Sequence, residues 1–566
     1  MFDLVIRNGS VVDGTGRARY RADVGVRDGK IASIGKLDER GREEIDAEGH
    51  IVAPGYIDAH THMDAQVHWD PLGTCSSFHG VTSVVMGNCG FTLAPSRAKE
   101  RHLIVRNLER AEDISGAAMA EGIKWSWESF PEYLQALERL PKGINYAANI
   151  GHSALRTYVM GERAFDGKAR DADLAAMRTE MLEALRAGAV GFTTSRSHNH
   201  ETSDDRPVAS RLASWEEVCM LVQAMGKAGG GVFEISKEKN AAAKEPEVRR
   251  DFFDRLQALA VETGVLVTFG LTPTDSWREQ LQLLERTALA GGAMYGQSHA
   301  RGMTVLMSFR TQLPFDSLPE WREVRAKPFE EQRRLFSDPV VRQRLIHAAH
   351  HGEYRRAVGA EARMPDWKEV RLRNGPYPPY PLIADLAKQR GVDPVELMID
   401  LALDSDFKQF FIQSAVPGQE QAEADVLEIL RHPRTIMTFS DTGAHVTQIA
   451  DFSIQTHLLA YWVRERGEFS IEEAVRMITK VPAAAWGFAD RGEIREGLAA
   501  DLNVFDLERL SPGVLDVAAD LPTGAKRLVQ KAEGIRATIV GGQAILRDGV
   551  PTGALPGKLL RRIRPQ

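Results

Sequence analysis

The chain has 566 residues, 43% hydrophobic and 26% charged, a formal net charge of -7 and three cysteines. It is too long for one small core, so a large domain with a smaller companion is expected. Interspersed charges exclude an extended basic surface for nucleic acid, the cysteines are too few for a disulfide framework, and no run reaches the ~20 apolar residues of a membrane span.

Met1-Phe2-Asp3-Leu4 has neither a charged nor an apolar leader region, so a cytoplasmic protein is expected. Leu4 to Val12, Ala22 to Val26 and Lys30 to Ile34 alternate like antiparallel strands broken by Asn8-Gly9 and Asp28-Gly29 turns. Eight apolar runs ending in polar residues follow: Ile51 to His62, Thr82 to Cys89, Ile144 to His152, Ala189 to Ser195, Gly231 to Ser236, Val265 to Leu271, Gly292 to His299 and Thr435 to Asp441. Between them, Asp173 to Ala187 and Trp215 to Lys227 carry Leu, Met and Ala at helical spacing.

This alternation predicts an α/β chain, a closed (β/α)8 TIM barrel with its chemistry at the carboxyl ends of the strands. An open doubly wound sheet is the alternative, but it lacks its Gly-rich phosphate loop here. The long stretch Arg301 to Pro381, with its Pro-rich end, reads as a lid or substrate wall, or else as a solvated excursion or oligomer contact. Leu502 to Phe505, Ala537 to Val540 and Gln543 to Leu546 alternate as the N-terminal strands do. The expected division is therefore a small β-sandwich domain from residues 1–52 and 489–566, around a barrel at 53–488 with an insertion at about 301–381.

Gly55-Tyr56-Ile57-Asp58-Ala59-His60-Thr61-His62 is the most informative stretch. Residues i and i+2 of a strand point the same way, so His60 and His62 can meet one metal ion. A surface strand with two chance histidines is the plain alternative. Asp441 closes the eighth run, which in a closed barrel lies beside the first. There it can ligate the same ion and move a proton, or Ser440-Asp441 can simply cap the next helix.

Further motifs are Asn8-Gly9-Ser10-Val11-Val12-Asp13-Gly14, Pro54-Gly55-Tyr56-Ile57-Asp58, Gly80-Val81-Thr82 leading to Gly87-Asn88-Cys89-Gly90-Phe91, and Trp125-Ser126-Trp127-Glu128 with Tyr133. Gly151-His152-Ser153-Ala154-Leu155-Arg156, Gly188-Ala189-Val190-Gly191-Phe192, Ser440-Asp441 and Gly497-Leu498-Ala499-Ala500-Asp501-Leu502 complete them. In this order and spacing the chain resembles the amidohydrolase superfamily, and within it the N-acyl-D-amino-acid deacylase (D-aminoacylase) group. The resemblance implies a hydrolase that cleaves a linear amide in a small-molecule substrate, deacylating an N-acyl amino acid with a zinc-activated water and one or two ions. It also implies that Cys89 is a zinc ligand, which suits thiolate affinity for zinc; a buried structural cysteine is the alternative. Cys75 and Cys219 lack such a setting.

Several positions depart from the group. Glu234 stands where a fifth-strand histidine is expected, and the sixth strand offers Thr268 and Phe269 in place of another, which favours one ion over two. Glu234 either replaces the histidine as an oxygen ligand or pairs with Lys237 or an arginine. In place of the group's Gly-Leu-x-Tyr the chain has Thr194 to His200, where Arg196 can clamp a carboxylate and His198 can donate a hydrogen bond. His445 and His152 are further candidate substrate contacts, and His299 a candidate recruit to the site. A lyase, cyclase or decarboxylase on the same barrel, or a scaffold without catalysis, remain as alternatives; metal content and amine release separate them.

Overall fold

In the computed structural model, which describes residues 1–274, 276–414 and 419–562, the apolar runs become parallel strands because both of their faces are covered. Val81–Met86, Asn145–Ala148 and Gly191–Ser195 are buried at every position. Tyr56–Asp58 pairs with Val81–Met86, and that strand pairs with Asn145–Ala148. Past Asn149, Ile150–Gly151 continues the ladder to Gly191–Ser195. The order then runs through Val232–Ser236, Leu266–Gly270, Met294–Ser298 and Thr435–Met437. Phe439–Thr442 pairs in parallel with His60–Thr61, so the last run lies against the first. Helices such as Asp171–Ala187 and Trp215–Lys227 join successive strands, the second capped by the Ser214 side chain on Glu217 N–H.

Both termini enter one nine-stranded sheet. The run Ile51 to His62 divides: Ile51–Pro54 leaves the parallel ladder and lies between Phe2–Val11 and Leu502–Phe505 of this sheet. Asn8-Gly9 is a bulge inside a continuous strand rather than a turn, with the register shifting between Ile6 and Gly9. The cause is close approach, since a Cβ on Gly9 would lie 2.3 Å from Val52 Cγ2. Asp28-Gly29, both at positive φ, does form the hairpin turn.

The long insertion has a core of its own, including Phe315, Trp321, Phe336, Leu345 and Phe411. Its strand Thr304–Ser308 pairs with Phe410–Ser414, so this unit extends beyond residue 381. It leans over the carboxyl ends of the parallel strands: Arg356 pairs with Glu201, and Glu361 with Arg110 at 2.8 Å. Among the described residues no helix is long and apolar enough to cross a membrane.

Candidate metal centre

His60 and His62 leave the first strand 0% and 1% exposed, with ring centroids 5.6 Å apart. Asp441, from the strand paired with theirs, sets Oδ1 3.3 Å from each Nε2. Cys89, just beyond the second strand, brings Sγ to 3.6 Å from His60 Nε2. One donor atom each of His60, His62 and Cys89 lie within 4.8 Å of one another. Cys89 and Asp441 adopt left-handed backbone, φ 53° and 56°, a conformation that concentrates at functional sites in non-glycine residues. His60 Nδ1 donates to Gln297 Oε1 at 2.5 Å, which fixes the tautomer and leaves Nε2 facing the centre.

Burial raises the Cys89 thiol well above its usual range, and the charges of Glu234, Glu112 and Asp441 add to the rise. For Asp441 burial acts upward, but the imidazoles of His60 and His62, each 3.3 Å from Oδ1, hold the carboxyl well below the usual carboxylate range. Among the described residues the ion-pair partners of Asp441 and Glu112 are histidines, not lysines or arginines. Among the described residues, both ring nitrogens of His62 and Oδ1 of Asp441 are buried without a hydrogen-bond partner. Buried polar groups are ordinarily satisfied, and a thiol, carboxylates and imidazoles without a basic counter-ion fit a divalent metal ion.

The sequence matches the model of the Amidohydrolase family over residues 43–546. The chain belongs to this family. It is 29% identical to D-aminoacylase of Alcaligenes xylosoxydans xylosoxydans, covering 99% of this chain and 98% of that protein. It is 28% identical to N-acyl-D-glutamate deacylase of the same organism, over 99% and 96%. The fold is similar to a solved D-aminoacylase with a binuclear metal centre, at TM-score 0.66 and 24% identity over 99% of this chain and 100% of that one. It is also similar to N-acyl-D-glutamate deacylase from Bordetella bronchiseptica complexed with zinc and a phosphonate inhibitor, at TM-score 0.63 and 24% identity over 99% of both chains.

In this amidohydrolase the remaining sequence-derived residues divide sharply. Glu234 does reach the centre, but through Cys89: Oε2 accepts the Cys89 backbone N–H, and Oε1 lies 4.0 Å from Sγ. Lys237 does not pair with it, because its ammonium donates to Gly270 O and Gln280 Oε1. At the end of the sixth strand Phe439 packs beside Gly270: a Cβ on Gly270 would lie 3.0 Å from Phe439 Cζ, and the Phe439 ring packs 4.3 Å from that of His60.

Arg196 is not brought to the cluster, because Glu238 takes its guanidinium at 2.9 Å and Ala213 O accepts a further N–H. His198 is exposed. His152 is buried, with its ring nitrogens engaged by Thr194 Oγ1 and Glu217, and Glu217 also holds Arg156. His299 Nε2 faces Asp451 at 3.1 Å. His445 does come in: its backbone N–H donates to Glu112 O at 2.6 Å, and its Nε2 lies 3.9 Å from Glu112 Oε2. Glu112, His200 and Gln297 were missed by sequence reasoning. Glu112 sits in the charged run Glu109 to Asp113, which has no motif, and nothing in the linear order prefers His200 to His198.

Proposed function

We propose that this amidohydrolase is a zinc-dependent hydrolase that deacylates N-acyl amino acids, with N-acyl-D-amino acids as its substrate class. The observation that carries the reading is the convergence of His60 Nε2, His62 Nε2, Cys89 Sγ and Asp441 Oδ1 in one buried centre. These four residues would hold the ion. When bound, zinc lowers the pKa of water and polarises an amide carbonyl. Asp441, kept ionised by the two imidazoles, accepts a proton at its carboxylate and returns it to the leaving nitrogen. Glu234 and Gln297 keep Cys89 and His60 oriented. His445 lies beside Glu112, where a Cβ on Gly359 of the insertion would come within 3.6 Å of its ring, and serves as a substrate contact. The D-aminoacylase and N-acyl-D-glutamate deacylase relatives support the substrate class.

The same reading takes residues 53–488 as a closed (β/α)8 barrel, and 1–52 with 489–566 as one small β-sandwich domain. The cyclic order of parallel pairings and the terminal sheet support it. The test is metal analysis of the purified protein together with amine release from N-acyl-D- and N-acyl-L-amino acids. Bound zinc and preferential cleavage of a D-substrate are expected, with D441N lowering kcat about 10²- to 10⁴-fold. Absence of metal after reconstitution, or no amine from any substrate, overturns it.

A further inference from the structure

Cys89 belongs to a second group of converging donors: with Glu112 and His200 it offers atoms that again lie within 4.8 Å of one another. Glu112 lies between the helices Arg101–Leu108 and Gly116–Gly122. It is anchored through its own backbone, its N–H donating to Leu108 O and its carbonyl accepting His445 N–H. Its side chain is 2% exposed, yet among the described residues Oε1 has no hydrogen-bond partner. The groups facing Oε2 are His62 Nε2 at 3.5 Å and His445 Nε2 at 3.9 Å. His200 shares a hydrogen bond between Nδ1 and Ser195 Oγ at 2.7 Å, and its ring lies 5.3 Å from that of Phe91. The ring is thereby oriented and Nε2 is left to act as a ligand.

A carboxylate buried without a basic partner is costly, and a cation coordinated by thiolate, carboxylate and imidazole removes that cost. On the opposite side of the centre Glu234 Oε2 is committed to Cys89 N–H, and Phe439 packs beside Gly270. We infer that Cys89, Glu112 and His200 form a second divalent transition-metal position, which shares the Cys89 sulfur with the first. The inference rests on the zinc reading of the His60, His62, Cys89 and Asp441 centre. Donors from two loops, rather than from the fifth and sixth strands, thus complete a paired site in this chain.

The test titrates metal-free, full-length protein with zinc(II) and with cobalt(II), following stoichiometry by elemental analysis and the thiolate-to-cobalt charge-transfer band by absorption. Wild type is expected to take two equivalents, with the second altering the thiolate band. E112Q and H200Q are expected to take one, or to bind the second more than about 100-fold more weakly, beyond the effect of losing a supporting group. Circular dichroism checks that the variants fold; if E112Q does not, E112D and H200Q decide. Saturation of wild type at one equivalent, with affinity unchanged in E112Q, overturns the second position alone. Failure of wild type to bind any ion overturns the zinc reading beneath it.

Discussion

Glu234 Oε2 accepts the backbone N–H of Cys89 at 2.7 Å, tying the fifth strand to the loop that follows the second. The bond helps hold Cys89 at φ 53°, a conformation that costs a non-glycine residue about 1 kcal/mol or more, and keeps Sγ turned toward His60. Glu234→Ala is expected to weaken zinc binding about 10- to 100-fold, whereas Glu234→Gln, which retains an acceptor oxygen, keeps most of the affinity. Competition with a chelating dye reads both. Equal losses in the two variants would show that charge, and not this hydrogen bond, is what matters.

Gln297 performs the corresponding service for His60. Gln297→Leu removes the acceptor of His60 Nδ1–H, frees the tautomer, and is expected to lower metal affinity by a further ~10- to 100-fold with the fold intact. The dye competition, paired with a thermal melt, measures it; unchanged affinity would remove Gln297 from the centre.

His79 makes stability depend on pH. The ring is fully buried, with Nδ1 on Thr456 Oγ1 at 2.9 Å, and burial, aided by the charge of Arg301, lowers its pKa from 6.5 to about 3. A base with a depressed folded pKa is neutral in the folded chain where the unfolded chain already binds a proton. Its contribution is therefore complete above pH 6.5 and is lost as pH falls from 6.5 toward 3, by at most ~2 kcal/mol at pH 5. Urea unfolding at pH 7 and pH 5 should show a smaller fall in H79Q than in wild type. Identical falls would contradict the assignment.

Phe439 and Gly270 compete for one space. Gly270→Ala is expected to destabilise by about 1–2 kcal/mol through overpacking against the Phe439 ring, and less so in a Phe439→Ala background. A double-mutant cycle on unfolding free energy reads the coupling, and strict additivity would show that the contact is not felt.

Much of the site was legible because part of its geometry is local. The two-residue period of a strand sets His60 and His62 on one side, and closure of the eighth run onto the first brings Asp441 to them. Arg196 and His152 were attractive as substrate contacts only while their partners were unknown. Glu238 and Glu217, far along the chain, already satisfy them. The Asn8-Gly9 pair carries the composition of a turn, yet becomes a bulge because Val52 packs against it.

From the amino-acid order alone follow the strand and helix runs, the pairing of strands from both ends of the chain, and the two histidines on a shared face, because each depends on periodicity or on the succession of elements. The convergence of Glu112 and His200 on Cys89, the bond of Gln297 to His60, the diversion of Arg196, and the packing of Phe439 beside Gly270 depend on how loops and side chains pack in three dimensions. No linear pattern encodes them, since each is decided by which atoms compete for one buried volume after the strands have come together.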